Sequence, residues 1–154
     1  MNGSNLIDGM NGLFAFSVSL ELLTIGILSY YIGDNEVFYT TIILIIPILF
    51  FLFFNVFGKI FIGDLGAYLY GFLVACLIIY FFGNNQELLS WGAVLIVFYP
   101  CIELLFSYVR KISSGKSPMS ADNMHLHTLI YKKIERKFLI KKYANSFVTL
   151  ILSV

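Results

Sequence analysis

Charge is what this sequence has least of. Only 12% of its 154 residues are Asp, Glu, Lys or Arg, while 59% are hydrophobic. A soluble domain carries about 25% charged and about 45–50% apolar residues, so this composition excludes a chain that covers its apolar surface in water. Cysteine is scarce as well: Cys76 and Cys101 both fall inside apolar runs, with neither a disulfide framework nor a metal-ligand spacing. The first twelve residues hold no Lys or Arg, so the opening stretch does not resemble a secretory leader. Period-two alternation is missing too, which excludes barrel strands. Sixteen Phe and ten Tyr suit lipid-facing and interfacial packing rather than base stacking, and no nucleic-acid partner is expected.

What is present is long apolar runs. A spanning helix needs about 20 mostly apolar residues. Four stretches qualify, at about 13–32, 38–57, 67–82 and 88–108, and residues 145–154 start like a further span that stops after ten residues. The expected fold is all-α: a single-domain, polytopic membrane helix bundle with about four full spans, a truncated fifth, and a basic cytoplasmic loop at 109–144. The third span is near the short limit. Pro47 lies inside the second, where a membrane helix tolerates it as a kink.

Orientation follows from the bases. Nine of the ten Lys and Arg lie between Arg110 and Lys142, and the other is Lys59. Cytoplasmic loops are enriched in these residues. The loop at 109–144 is therefore placed in the cytoplasm, together with residues 58–66 and 1–12. Residues 33–37 and 83–87, which hold no Lys or Arg, fall outside. Tyr30, Tyr31 and Trp91 then lie near the outer interface, and the basic loop meets anionic membrane lipid.

Three polar phrases share the cytoplasmic side. The first is Asn2-Gly3-Ser4-Asn5-Leu6-Ile7-Asp8-Gly9-Met10-Asn11-Gly12, read either as a polar turn before a membrane helix or as a site whose amides and Asp8 carboxylate meet a polar ligand. The second is Phe61-Ile62-Gly63-Asp64-Leu65-Gly66-Ala67. Asp64 there reads plainly as a helix N-cap. Alternatively, it is an oxygen ligand for a hard cation that keeps waters and substrate phosphates in its shell. The third runs from Lys116 to His125-Leu126-His127. Two imidazoles two positions apart are not the i,i+4 zinc pair of a metalloprotease. Lys116, His125 and His127 are candidates for an anionic ligand, whereas Lys132, Lys133, Arg136, Lys137, Lys141 and Lys142 read mainly as orientation charges. Glu21 and Glu103 fall within spans, where an acid faces a bundle interior or aqueous cavity.

In this order and spacing the phrases resemble the polyprenyl-phosphate N-acetylhexosamine-1-phosphate transferases, glycosyltransferase family 4. Residues 2–13 are similar to the family's Asn-Ala-x-Asn-x-x-Asp-Gly-x-Asp-Gly-Leu, and residues 61–67 to its Phe-x-Gly-Asp-x-Gly-Ser. Residues 116–127 are similar to its cytoplasmic Ser-Pro…Asp-Arg-x-His-x-His-His loop. The resemblance implies transfer of N-acetylhexosamine-1-phosphate from a UDP-N-acetylhexosamine to a polyprenyl (undecaprenyl) phosphate, releasing UMP, at the bacterial inner membrane. It implies Mg²⁺, or Mn²⁺ in its place, held by Asp64 and Asp8 as the catalytic carboxylates. Asn5, Lys116, His125 and His127 would bind substrate.

Departures stand beside these matches. Asn11, Ala67, Asn123 and Thr128 replace Asp, Ser, Arg and His of the family's phrases, and Glu103 occupies a place that often holds Asp. The family's paired-aspartate phrase has no counterpart here. The resemblance therefore covers a C-terminal portion only, and the chain is expected not to catalyse the transfer alone. It would act with an N-terminal half or as a homodimer, or remain an inactive fragment or a binding and assembly partner. A small transporter, suggested by Glu21 and Glu103, is the weaker alternative, because the polar phrases sit on one face rather than at the midplane.

Overall fold

The computed structural model describes residues 12–115 together with Leu129. Everything described as regular structure is helical. Helix α1 spans Leu13–Ile32, α2 Asn35–Asn55, α3 Gly63–Asn84, α4 Trp91–Ile96 and α5 Phe98–Ser113. The first three are long and apolar enough to cross a membrane. The chain is a multi-pass membrane protein.

The α1–α2 hairpin is closed by two adjacent residues. Gly33 adopts φ 84°, a left-handed conformation that costs glycine little. That turn lets the Gly33 and Asp34 amides both donate to the Ser29 carbonyl, at 3.0 and 2.9 Å. Asp34 then caps α2, its Oδ1 accepting from the Val37 amide at 3.2 Å. This cap starts α2 at Asn35, earlier than the apolar run that suggested 38. Helix α3 likewise exceeds the expected 67–82. The Gly63-Asp64-Leu65-Gly66 phrase forms its own first turn, giving 22 residues rather than a minimal span.

The stretch expected as one span over 88–108 is divided at Val97, which lies at φ −95°, ψ 22° between α4 and α5. Pro100 supplies a reason. It has no amide to donate to the Ile96 carbonyl, and its ring crowds that carbonyl. In the first turn of a new helix the missing donor costs nothing. Pro47, by contrast, lies inside α2 without ending it. The Tyr70 hydroxyl of α3 donates to the neighbouring Leu44 carbonyl at 3.5 Å, beside the Ile43 carbonyl that loses its helical donor to the ring. The segment 145–154 and the loop beyond Gly115, Leu129 apart, lie outside the described residues.

Helix α1 is the centre of the packing, touching α2, α3 and α4. It buries Phe14, Val18, Leu22 and Ile25, which meet Ile48 of α2 and Phe81 of α3 in one core. Apolar side chains gain little by leaving lipid, so close van der Waals approach has to hold these helices together. Gly26 provides it: a Cβ there would stand 3.3 Å from Thr41 Cγ2 of α2. Hydroxyls on these faces bond to their own helices. Ser19 Oγ donates to the Ala15 carbonyl at 2.6 Å and Thr41 Oγ1 to the Val37 carbonyl at 2.7 Å. The outward sides of α2 and α3 show Ile43, Phe50, Phe53 and Ile79, well exposed as lipid-facing residues should be.

Candidate functional site

The hairpin topology gives the bundle two ends. At one, Asp34 Oδ2 accepts from Asn85 Nδ2 at 3.1 Å, and the Tyr80 hydroxyl donates to Glu36 Oε2 at 3.0 Å. Exposed Tyr30 and Tyr31 stand at this end of α1. At the other end lie the start of α1, the end of α2 and the start of α3. This second end carries the Gly-Asp-x-Gly phrase, and residues 1–11 lead directly into it.

The second end is organised around Asn55, the last residue of α2 and only 2% exposed. Its Oδ1 accepts from the Gly12 amide at 2.6 Å, and its Nδ2 donates to the Ile60 carbonyl at 2.7 Å. One amide thus joins the entry to α1 with the loop that leads into α3. The loop folds tightly on itself: the Gly58 amide reaches the Asn55 carbonyl at 2.8 Å, and Lys59 the Phe54 carbonyl at 3.2 Å. The Lys59 ammonium stands 6.0 Å from the Phe57 ring centroid, at the outer reach of a cation–π contact.

Asp64 follows in the first turn of α3, and its side chain is exposed. The plain expectation that it caps the helix is not met. Ile62 holds the N-cap position and no side chain caps it. Asp64 makes no hydrogen bond or ion pair among the described residues, so its carboxylate is committed to nothing there. The glycines beside it have separate causes. Gly63 sits at φ 68° with open space where a Cβ would point, so its requirement is conformational. At Gly66 a Cβ would run into Ile62 Cγ1, so the requirement there is steric.

Among the described residues, no group of three or more His, Cys, Asp or Glu is arranged to hold a metal. A single exposed carboxylate nevertheless fits a hard cation that is shared with substrate phosphates and waters. Of the candidate site residues, Asp64 is therefore placed, whereas Asn5, Asp8, Lys116, His125 and His127 lie outside the described residues. Asn55 belongs to none of the three polar phrases. Its signal was available: it is the lone polar side chain in the run from Ile42 to Phe57.

The two intramembrane acids take other places. Glu103 of α5 is fully buried, and its Oε1 accepts from the Tyr99 hydroxyl at 3.0 Å. Glu21 of α1 accepts from Ser17 Oγ at 3.2 Å and lines a cavity of about 460 Å³ between α1 and the α4–α5 stretch. Leu13, Leu28, Gly92 and Tyr99 are among the other lining residues.

The profile of the family described as Glycosyl transferase family 4 matches residues 1–82, across the Asn/Asp/Gly phrase and the Asp64 turn. The chain belongs to glycosyl transferase family 4. Curated relatives carry the name undecaprenyl-phosphate alpha-N-acetylglucosaminyl 1-phosphate transferase. That of Escherichia coli K12 is 27% identical over 138 residues, covering 86% of this chain and 38% of the relative. That of Yersinia pestis is 28% identical over the same length. That of Haemophilus influenzae is 31% identical over 120 residues, covering 73% of this chain and 34% of the relative. The chain thus spans about 38% of the length of the first two of these relatives. No solved structure matches.

Proposed function

We propose that this chain is the donor-binding part of a transferase that moves N-acetylhexosamine-1-phosphate from a UDP-sugar to a polyprenyl phosphate in the bacterial inner membrane. The observation that carries the reading is the end-on arrangement: Asp64, exposed and uncommitted among the described residues, stands at the bundle end where α1 begins at Gly12. Relatives named for this transfer support it over most of the chain. One substrate is water-soluble and the other is a lipid, so a site at the membrane surface is what the chemistry needs.

In this reading Asp64 and Asp8 hold a divalent cation, Mg²⁺ or Mn²⁺. When bound, it neutralises charge on the diphosphate and on departing UMP. Asn5 bonds the nucleotide, and Lys116, His125 and His127 contact the donor's phosphates or sugar. The end bearing Asp64 and the basic loop face the cytoplasm, where UDP-sugars are made. The acceptor-activating groups come from outside these 154 residues.

The test is titration of UDP-N-acetylglucosamine onto the purified chain in lipid nanodiscs, with and without Mg²⁺. Saturable binding that needs the cation and disappears in Asp64→Asn is expected, without UMP release when polyprenyl phosphate is added. Binding indifferent to both Mg²⁺ and Asp64 would remove the proposal.

A further inference from the structure

We propose that Asn55 is a positioning residue that sets the spacing between Gly12, the last residue of the Asn/Asp/Gly phrase, and the loop that leads into the Asp64 turn. The proposal rests on the reading above, in which these two phrases act on one substrate. Its physical part stands on the hydrogen bonds alone.

Asn55 is buried in an otherwise apolar stretch, so its amide group is costly unless both of its ends are satisfied. Both are, and by backbone rather than side chains. The partners lie 43 residues upstream, at the Gly12 amide, and 5 residues downstream, at the Ile60 carbonyl. A backbone amide and a backbone carbonyl need one donor and one acceptor on the same short side chain. Asparagine supplies both on two neighbouring atoms: aspartate keeps the acceptor and loses the donor, and glutamine adds a methylene to a packed site.

The consequence is mechanical. The Gly12 amide is an orphan donor at the start of α1, four positions beyond Asp8. Ile60 lies four positions before Asp64. With both tied to one planar amide, the α1 entry and the α3 entry move as a unit. A misplacement of about 1 Å between groups that share a substrate is enough to cost about a hundredfold in rate.

The experiment combines site-resolved amide hydrogen exchange with donor titration in nanodiscs, on the unsubstituted chain, Asn55→Ala and Asn55→Asp. Asn55→Ala is expected to speed exchange roughly tenfold or more at both the Gly12 and Lys59 amides, leaving the interior of α1 unchanged. Asn55→Asp is expected to split the two, keeping Gly12 protected while Lys59 loosens. In titration, Asn55→Ala should weaken Mg²⁺-dependent donor binding roughly tenfold at unchanged stoichiometry, and Asn55→Asp should recover part of the loss. Reduced stoichiometry with an unchanged Kd would mean a folding role only and would overturn positioning. Unchanged Gly12 exchange in Asn55→Ala, or identical exchange in both variants, would overturn the clamp. Failure of the unsubstituted chain to bind donor refutes the proposed function and the positioning role with it, and the clamp is then judged by exchange alone.

Discussion

Replacing Gly66 by alanine should give opposite signs of effect in two backgrounds. In a helix, alanine is preferred over glycine by about 0.5–1 kcal/mol. Taken alone, Gly66→Ala would therefore stabilise α3. The structure opposes this, because the new Cβ would overlap Ile62 Cγ1 and stand 3.2 Å from its Cδ1. Cγ1 is bonded directly to Cβ and is not a mobile tip, so Ile62 must change rotamer or the first turn must shift. Overpacking of this kind costs about 1–3 kcal/mol. The net expectation for Gly66→Ala is destabilisation of about 0–2.5 kcal/mol, with the Asp64 turn displaced. Trimming the obstacle by Ile62→Ala removes the overlap, and Gly66→Ala in that background should stabilise by about 0.5–1 kcal/mol. The two substitutions should therefore couple by about 1–3 kcal/mol, well beyond the error of a double-mutant cycle. Equilibrium unfolding in mixed micelles, monitored by far-UV circular dichroism, measures all four corners. Additive effects, or stabilisation by Gly66→Ala in the native background, would refute the packing argument.

Gly63→Ala meets no steric obstacle but forces a β-carbon into φ 68°. It should cost about 1–2 kcal/mol in the same assay, with Gly63→Asn milder. Asp34→Ala removes the α2 cap and the bond to Asn85. A loss of about 1–2 kcal/mol is expected, with donor affinity unchanged because Asp34 lies at the far end of the bundle. Gly26→Val pushes a branched side chain against Thr41 and should cost about 1–3 kcal/mol by separating α1 from α2, read as faster proteolysis of the 33–34 turn. Glu21→Gln keeps the shape and the Ser17 contact, so donor binding should be unaffected, whereas loss of binding would give the intramembrane acid a role the transferase reading does not.

Much of this architecture was legible in the sequence because lipid imposes a simple rule: apolar runs of sufficient length become helices. The bounds of α1 came out at Leu13–Ile32, as the run itself suggested. The rule fails where polar residues extend a helix past the hydrocarbon. Asp34 capping α2 and Gly63–Gly66 forming the first turn of α3 are such cases. It fails again at Val97, where composition stays apolar but Pro100 divides the backbone. For the site, the motif wording located Asp64. It did not separate a capping carboxylate from an uncommitted one, since Asp34 and Asp64 both precede apolar runs and only the first is a cap.

By itself the sequence determined that this is a helical membrane protein and, through three spaced phrases, which family's chemistry it resembles. Those features depend on composition and on residue order, and both can be read along the chain. Only the tertiary structure decided that Asn55 joins Gly12 to Ile60, that a side chain at Gly66 would meet Ile62 and one at Gly26 would crowd Thr41, and that Asp64 has no partner among the described residues. Each of these depends on which atoms meet in space. For Asn55 and Gly12 that meeting spans 43 positions of sequence, and no local pattern encodes it.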